Sequence, residues 1–353
     1  MSHELAKRAD GVYRMKYRKR TEADRPWHDS WTNTDPWTDD PDLETVKKDL
    51  EANVPISLRA VQCAITGYEI PEVQQTWRPL LDANGVPVLD ENGHAKGHRL
   101  GIVGPDYTII QDHECVDWLK PWVEGGACTV ETGGAIYGGS RFWLLAKMTR
   151  DPVEVVKDDA VCQYVLIING HDGKLAFRAF PTTVRVVCNN TVQMAMQSKL
   201  AKKFRAKHRK LVHMKAEEIR EEVGAMQGIL LENVEKFREL ALHNVPDEKH
   251  LQSYFQQVLQ EKVDVDKEVN KESKRPLGTL MRLFEEGTGS DIVAVKDTWW
   301  MAYNAVTEFI SHMRGRNSDA RLDNMITGIG AQMTDRALKI GLEASKGNLK
   351  MAA

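Results

Sequence analysis

The stretch "VCQYVLIINGHDGKLAFRAF", residues 161–180, carries the clearest fold signal in this chain. An apolar run over about 161–169 predicts a buried strand, a second strand covers about 174–180, and Gly170-His171-Asp172-Gly173 supplies the tight turn between them. His171 beside Asp172 holds ingredients of acid/base chemistry. Two adjacent residues at a hairpin tip nevertheless make no triad unless the fold places a nucleophile next to them, so the reading is a turn. A third strand-like stretch, "TVRVVC" (183–188), follows. Asn189 or Asn190 then caps a helix, because an asparagine side chain accepts a hydrogen bond from a free first-turn amide.

Upstream, residues 46–190 read as short apolar segments broken by Gly, Pro, Asn and Asp. "LLDANGVPVLDENGHAKG" (80–97) repeats Leu-Asp-x-Asn-Gly, and both Asn-Gly pairs suit turns with positive φ. A calcium loop is the weaker reading, since the alternation of an EF-hand and its closing Glu are missing. "YTIIQ" (107–111) is strand-like, and "HECVDWLKPWV" (113–123) predicts a short helix. "CTVET" (128–132) and "RFWLLAKM" (141–148) form a hairpin across "GGAIYGGS" (133–140), which has the order of neither a Walker A loop nor a dinucleotide loop and is read as a turn. Residues 1–45 form a polar arm whose Trp27, Trp31 and Trp37 are anchors, more simply packed on this protein's own core than stacked on bases or docked on a neighbour.

Charge is strongly segregated. The formal net charge is −3, yet no Asp or Glu occurs from Gly173 through Ala216. A helix over roughly 191–213 would align Val192, Met196, Leu200, Phe204 and Leu211 on one stripe, with Lys202, Arg205 and Arg209 nearly opposite and Lys199 and Lys210 flanking. No acid interleaves to neutralise these cations in i,i+4 pairs, so an outside compensator is needed. A polyanion such as nucleic acid is one; an acidic surface of the same protein, for instance "AEEIREEVGAM" (216–226), is another. The candidate phosphate-binding set is Arg178, Arg185, Lys199, Lys202, Lys203, Arg205, Lys207, Arg209 and Lys210.

Residues 216–353 read as mostly helical: about 216–243, about 247–262, a mobile charged connector "DVDKEVNKESKRP" (264–276), the apolar "TWWMAYNAVTEFISHM" (298–313) with Trp299, Trp300, Tyr303 and Phe309 as core, and a last helix in "GIGAQMTDRALKIGLEASKG" (328–347). The fold class expected is α+β: an antiparallel β-sheet core with hairpins in 46–215, ending in the basic helix, then the helical region. Cys63, Cys115, Cys128, Cys162 and Cys188 stand apart without CxxC or zinc spacing, so reduced thiols in a cytoplasmic protein are expected. No signal peptide or membrane span is recognisable. No catalytic motif, cofactor motif or metal-ligand spacing is evident, and an enzyme is the least favoured class.

"RPWH" (25–28), "INGHDGKLAFRAFPTTVRVVCNNT" (168–191), "KHRK" (207–210) and "WWMAYNAVTEF" (299–309) together resemble the phage/plasmid-like proteins grouped as domain-of-unknown-function family 932. The tandem Asn-Gly hairpin looks like an insertion beyond that pattern. The resemblance implies a gene carried by phages or plasmids and acting in bacterial cytoplasm. The order hairpin, strand, basic helix is also similar, at the level of fold, to phage single-strand annealing proteins. The function expected is an oligomeric protein holding single-stranded DNA on a basic surface, with annealing in recombination or replication as its task. The alternative is a protein–protein adaptor or host-takeover factor without DNA binding.

Overall fold

The structure is a computed structural model that describes residues 15–18, 36–82, 84–148, 151–185, 191–194, 205–206, 216–266, 268–314, 324 and 328–351. It is α+β, with antiparallel sheets in the N-terminal half and helices mostly in the C-terminal half. The chain divides into two compact units: Met1–Thr149, Tyr164–Pro181 and Ala195–Ala225 form the first, and Arg150–Gln163, Thr182–Met194 and Met226–Ala353 the second.

The first unit holds β1 (Met15–Tyr17), α1 (Leu43–Asp49), β2 (Ser57–Gln62), β3 (Glu69–Pro79), β4 (Gly97–Val103), α2 (Asp112–Asp117), α3 (Lys120–Glu124), β5 (Cys128–Ile136) and β6 (Arg141–Met148). Helix starts follow local chemistry. Asp42 accepts from the Thr45 amide at 2.7 Å ahead of α1, and Glu114 reaches back to the Gln111 amide at 2.6 Å ahead of α2. The expected helix in 113–123 is thus α2 and α3, separated by a turn before Pro121. β2, β3 and β4 form one antiparallel sheet.

Both Asn-Gly pairs are turns. Gly85 and Gly93 have φ +78 and +79, and Asp82 and Asp90 each accept two backbone amides in successive, near-identical loops. The glycine-rich segment 133–140 is a turn only at Tyr137–Gly139; Gly133–Ile136, expected in the turn, belong to β5 and pair with β6. Trp37 is buried and donates its Nε1–H to Asp49 at 2.7 Å, as an anchor on the protein's own core does; Trp27 and Trp31 lie outside the described residues.

In the second unit β7 (Val153–Val156) pairs with the first residues of β8 (Asp159–Gly170), which then crosses into the first unit and pairs with β6 from Tyr164 to Gly170. β9 (Phe177–Arg185) neighbours β8 and belongs to both units in the same way. The two expected strands at 174–180 and 183–188 are therefore, through residue 185, one. Pro181 does not break β9, because its outer partners are β11 (Arg205–Ala206) at residues 177–178 and β10 (Thr191–Met194) at residues 182–184. Pro181 falls in the gap between them, where a residue without an N–H interrupts no assigned ladder on that side.

Two further expectations are corrected. Residues 107–111 form no strand: Asn169 donates to the Ile110 carbonyl and the Gln111 side chain bonds both the N–H and C=O of Ile56, so side chains do there what a ladder would do. Residues 191–194 and 205–206, both read as part of the basic helix, are strands β10 and β11. Thr191 and Val192 suit either state, and the β9 edge decides by satisfying their backbone groups.

α4 (Ala216–Ala241) belongs to the second unit from Met226 on, and that unit also holds α5 (Glu248–Leu259), α6 (Pro276–Glu286), α7 (Trp299–Glu308, continued by a π-turn over Phe309–Met313) and α8 (Ile329–Ser345). α6 was not foreseen; Pro276 at its first turn marks its start. The core is aromatic. Trp300 lies 4.8 Å from Phe237 and 5.8 Å from Tyr303 between ring centroids, and Tyr254 packs edge-on against Trp299. The connector is tied down: Lys271 bridges Glu248 and Glu285, and Gln256 holds both the amide and the carbonyl of Asp264.

Gly170 ends β8 where an added Cβ would stand 2.5 Å from the Leu175 Cβ and 2.7 Å from the Leu175 carbonyl. Gly170→Ala should therefore lower unfolding free energy by about 1–3 kcal/mol, read by chemical denaturation.

Candidate functional site

Three sets of polar side chains stand out. The first wraps the 170–173 turn inside the first unit. His171 is not at an exposed tip: it is fully buried, and its partner is Asp112, 2.7 Å from Nε2 and equally buried. Asp172 instead takes Arg141 at 3.1 Å and caps the Lys174 amide. The Thr76 hydroxyl donates to the His171 carbonyl at 2.6 Å, and Tyr107 donates to the Gly170 carbonyl at 3.0 Å. Asn169 and His171 thus both reach back to residues 110–112, and the turn is clamped from four directions. The fully buried His–Asp pair ties the turn to residue 112. Sequence reasoning missed Asp112 because it lies 59 residues upstream, and no local spacing announces it.

The second set lies inside the second unit. The Arg185 guanidinium makes a two-point contact with Asp159, 2.7 Å at each oxygen, and both side chains are fully buried. The Trp300 indole N–H donates to the same carboxylate at 2.7 Å. Arg185 also donates to the Thr288 carbonyl at 3.1 Å, while the Thr288 amide and hydroxyl donate to Glu308. Gly289, at φ +81, comes so close that a Cβ there would stand 2.9 Å from the guanidinium. Arg185, expected on a phosphate-binding surface, is here an internal tie.

The third set is the cationic stretch. Arg178 is half-buried on β9, and β11 places Arg205 directly opposite it in register. Lys199, Lys202, Lys203, Lys207, Arg209 and Lys210 lie outside the described residues. No group of three or more His, Cys, Asp or Glu side chains able to hold a metal occurs among the described residues. No helix among them is long and apolar enough to cross a membrane.

A family model matches residues 99–328, from within β4 to the segment ahead of α8. The chain belongs to the family described as domain of unknown function DUF932. The DUF932 match takes in both buried clusters, apart from Thr76, and the whole acid-free stretch; β2 and β3 precede it. No curated protein and no solved structure matches the chain.

Breaking a buried pair strands one charge, so Asp159→Asn should cost about 3–5 kcal/mol of stability by denaturant titration. The described thiols should separate by reactivity. Hydrogen bonds from Thr66 lower the Cys63 pKa, whereas burial raises that of Cys115 and pushes Cys128 up to about 12. Peptide mapping after iodoacetamide at neutral pH should find Cys63 alkylated first, with Cys115 and Cys128 following only on unfolding.

Proposed function

We propose that this DUF932 protein binds single-stranded DNA along the cationic stretch that follows β9, and that strand alignment for annealing is its task in a phage- or plasmid-borne recombination or replication step. The observation that carries the reading is the β9–β11 register. Two arginines, Arg178 and Arg205, are set directly opposite each other in a stretch with no carboxylate from Gly173 to Ala216. A stretch without carboxylates offers its lysines and arginines no acidic partner within itself, which favours an anion from outside it. Phosphates spaced along a strand supply that anion repeatedly, matching a run of lysines and arginines rather than a single pocket.

The phosphate-holding set is then Arg178 with Lys199, Lys202, Lys203, Arg205, Lys207, Arg209 and Lys210, while Arg185 serves the core. Charge neutralisation brings the strand down and counterion release supplies the free energy, without reading sequence. No bond is made or broken in this scheme.

The test is fluorescence anisotropy of a labelled single-stranded oligonucleotide and its duplex across a salt series. Tight, salt-steep binding that favours the single strand is expected. Replacing Lys202, Arg205, Lys207 and Arg209 with Gln should flatten the log–log salt slope by up to about 3, at roughly 0.7 per lost phosphate contact. An unchanged slope overturns the assignment, and absence of binding at low salt leaves the stretch to an acidic protein partner.

A further inference from the structure

The β2–β3–β4 sheet has an edge that is chemically unguarded. β2 pairs only with β3, so its outer row of amides and carbonyls has no strand partner among the described residues. Soluble proteins protect such edges with lysines, prolines, bulges or covering segments, because a bare edge recruits another strand. The neighbouring stretch of this same sheet is protected in that way. The ladder shifts register between Ala60 and Gln62, so β3 residues 70–73 pair with no strand among the described residues, and Pro71 and Glu72 stand within them.

On β2 that irregularity lies between Ala60 and Gln62, but the strand carries no lysine and no proline. From Ala60 to Tyr68 there is no charged residue and no proline. The only charge on β2, Arg59, is drawn back over the Trp77 ring, 3.3 Å from its centroid. At the turn that ends β2, Ile65 and Tyr68 are 94% and 78% exposed, and Ile70 beside them is also exposed. A neutral edge strand continuous with an exposed apolar turn is therefore offered to a partner, and the adjoining strand is not.

We propose that β2 pairs antiparallel with the β2 edge of a second copy of this chain, with Ile65 and Tyr68 extending the contact. A two-fold axis sets a strand against its own reverse, so any charge near the axis meets itself; an uncharged run satisfies that condition without a matching sequence elsewhere. The contact lies before the region matched by the family model. It does not involve the cationic stretch, so it stands or falls separately from the DNA-binding proposal.

Sedimentation velocity of the full chain without nucleic acid, over a concentration series, tests it. The wild type should associate to dimers. Ala60→Lys, and Ile65→Lys combined with Tyr68→Lys, should each raise the dimer dissociation constant about tenfold or more, equivalent to about 1.4 kcal/mol. Val293→Lys, a change at another highly exposed apolar residue, should leave it unchanged. Hydrogen exchange on the wild type gives a reading independent of variant folding: amides of residues 57–62 should slow as concentration rises. A wild type that stays monomeric to its solubility limit overturns the proposal. So does association that the edge variants do not weaken, or β2 amides that exchange equally fast at both ends of the series.

Discussion

The second unit is organised around a charge that no water reaches. Arg185 leaves the end of β9 and meets Asp159 at the start of β8, while Trp300 of α7 donates to the same carboxylate and the Thr288 carbonyl takes another guanidinium N–H. Two desolvated ions are tolerable only when their hydrogen-bonding groups are met with good geometry. Meeting them here requires two strands, one helix and the 287–289 loop to arrive together. The aromatic packing of Phe237, Tyr303 and Trp300 depends on the same arrival, because Trp300 belongs to both the polar and the apolar arrangement.

The first unit repeats the device at the other end of β8. His171 and Asp112 are sealed together, Asn169 grips the Ile110 carbonyl, and Arg141 holds Asp172. The motif Asn169 through Gly173 is thus tied to Ile110, Asp112 and Arg141. Its clamped turn sets where β9 begins, and β9 in turn fixes Arg178 opposite Arg205.

Much of the fold was legible because its signals are local. Turns at Asn84-Gly85, Asn92-Gly93 and Gly170–Gly173 follow from φ preferences and side-chain bonds within a few residues. The aromatic helix around Trp299 and Trp300 follows from apolar content. The misreadings share one cause. Residues 107–111 and 191–194 have backbone partners far away in sequence, Asn169 and Gln111 in one case and β9 in the other, and those partners override local pattern.

For the candidate site the division is sharper. The chain by itself determined that eleven lysines and arginines stand in a stretch free of acids, because composition needs no coordinates. For the three whose side chains are described, exposure was decided by tertiary structure: Lys174 is exposed, Arg178 half-buried and Arg185 buried. Arg178 and Arg185 lie on one strand, yet Arg185 is fully buried against Asp159, 26 residues away, while Arg178 is half-buried opposite Arg205. Charge is a property of the residue, but its availability depends on whether folding gives that charge a partner, and a partner brought from a distance leaves no mark in the local sequence.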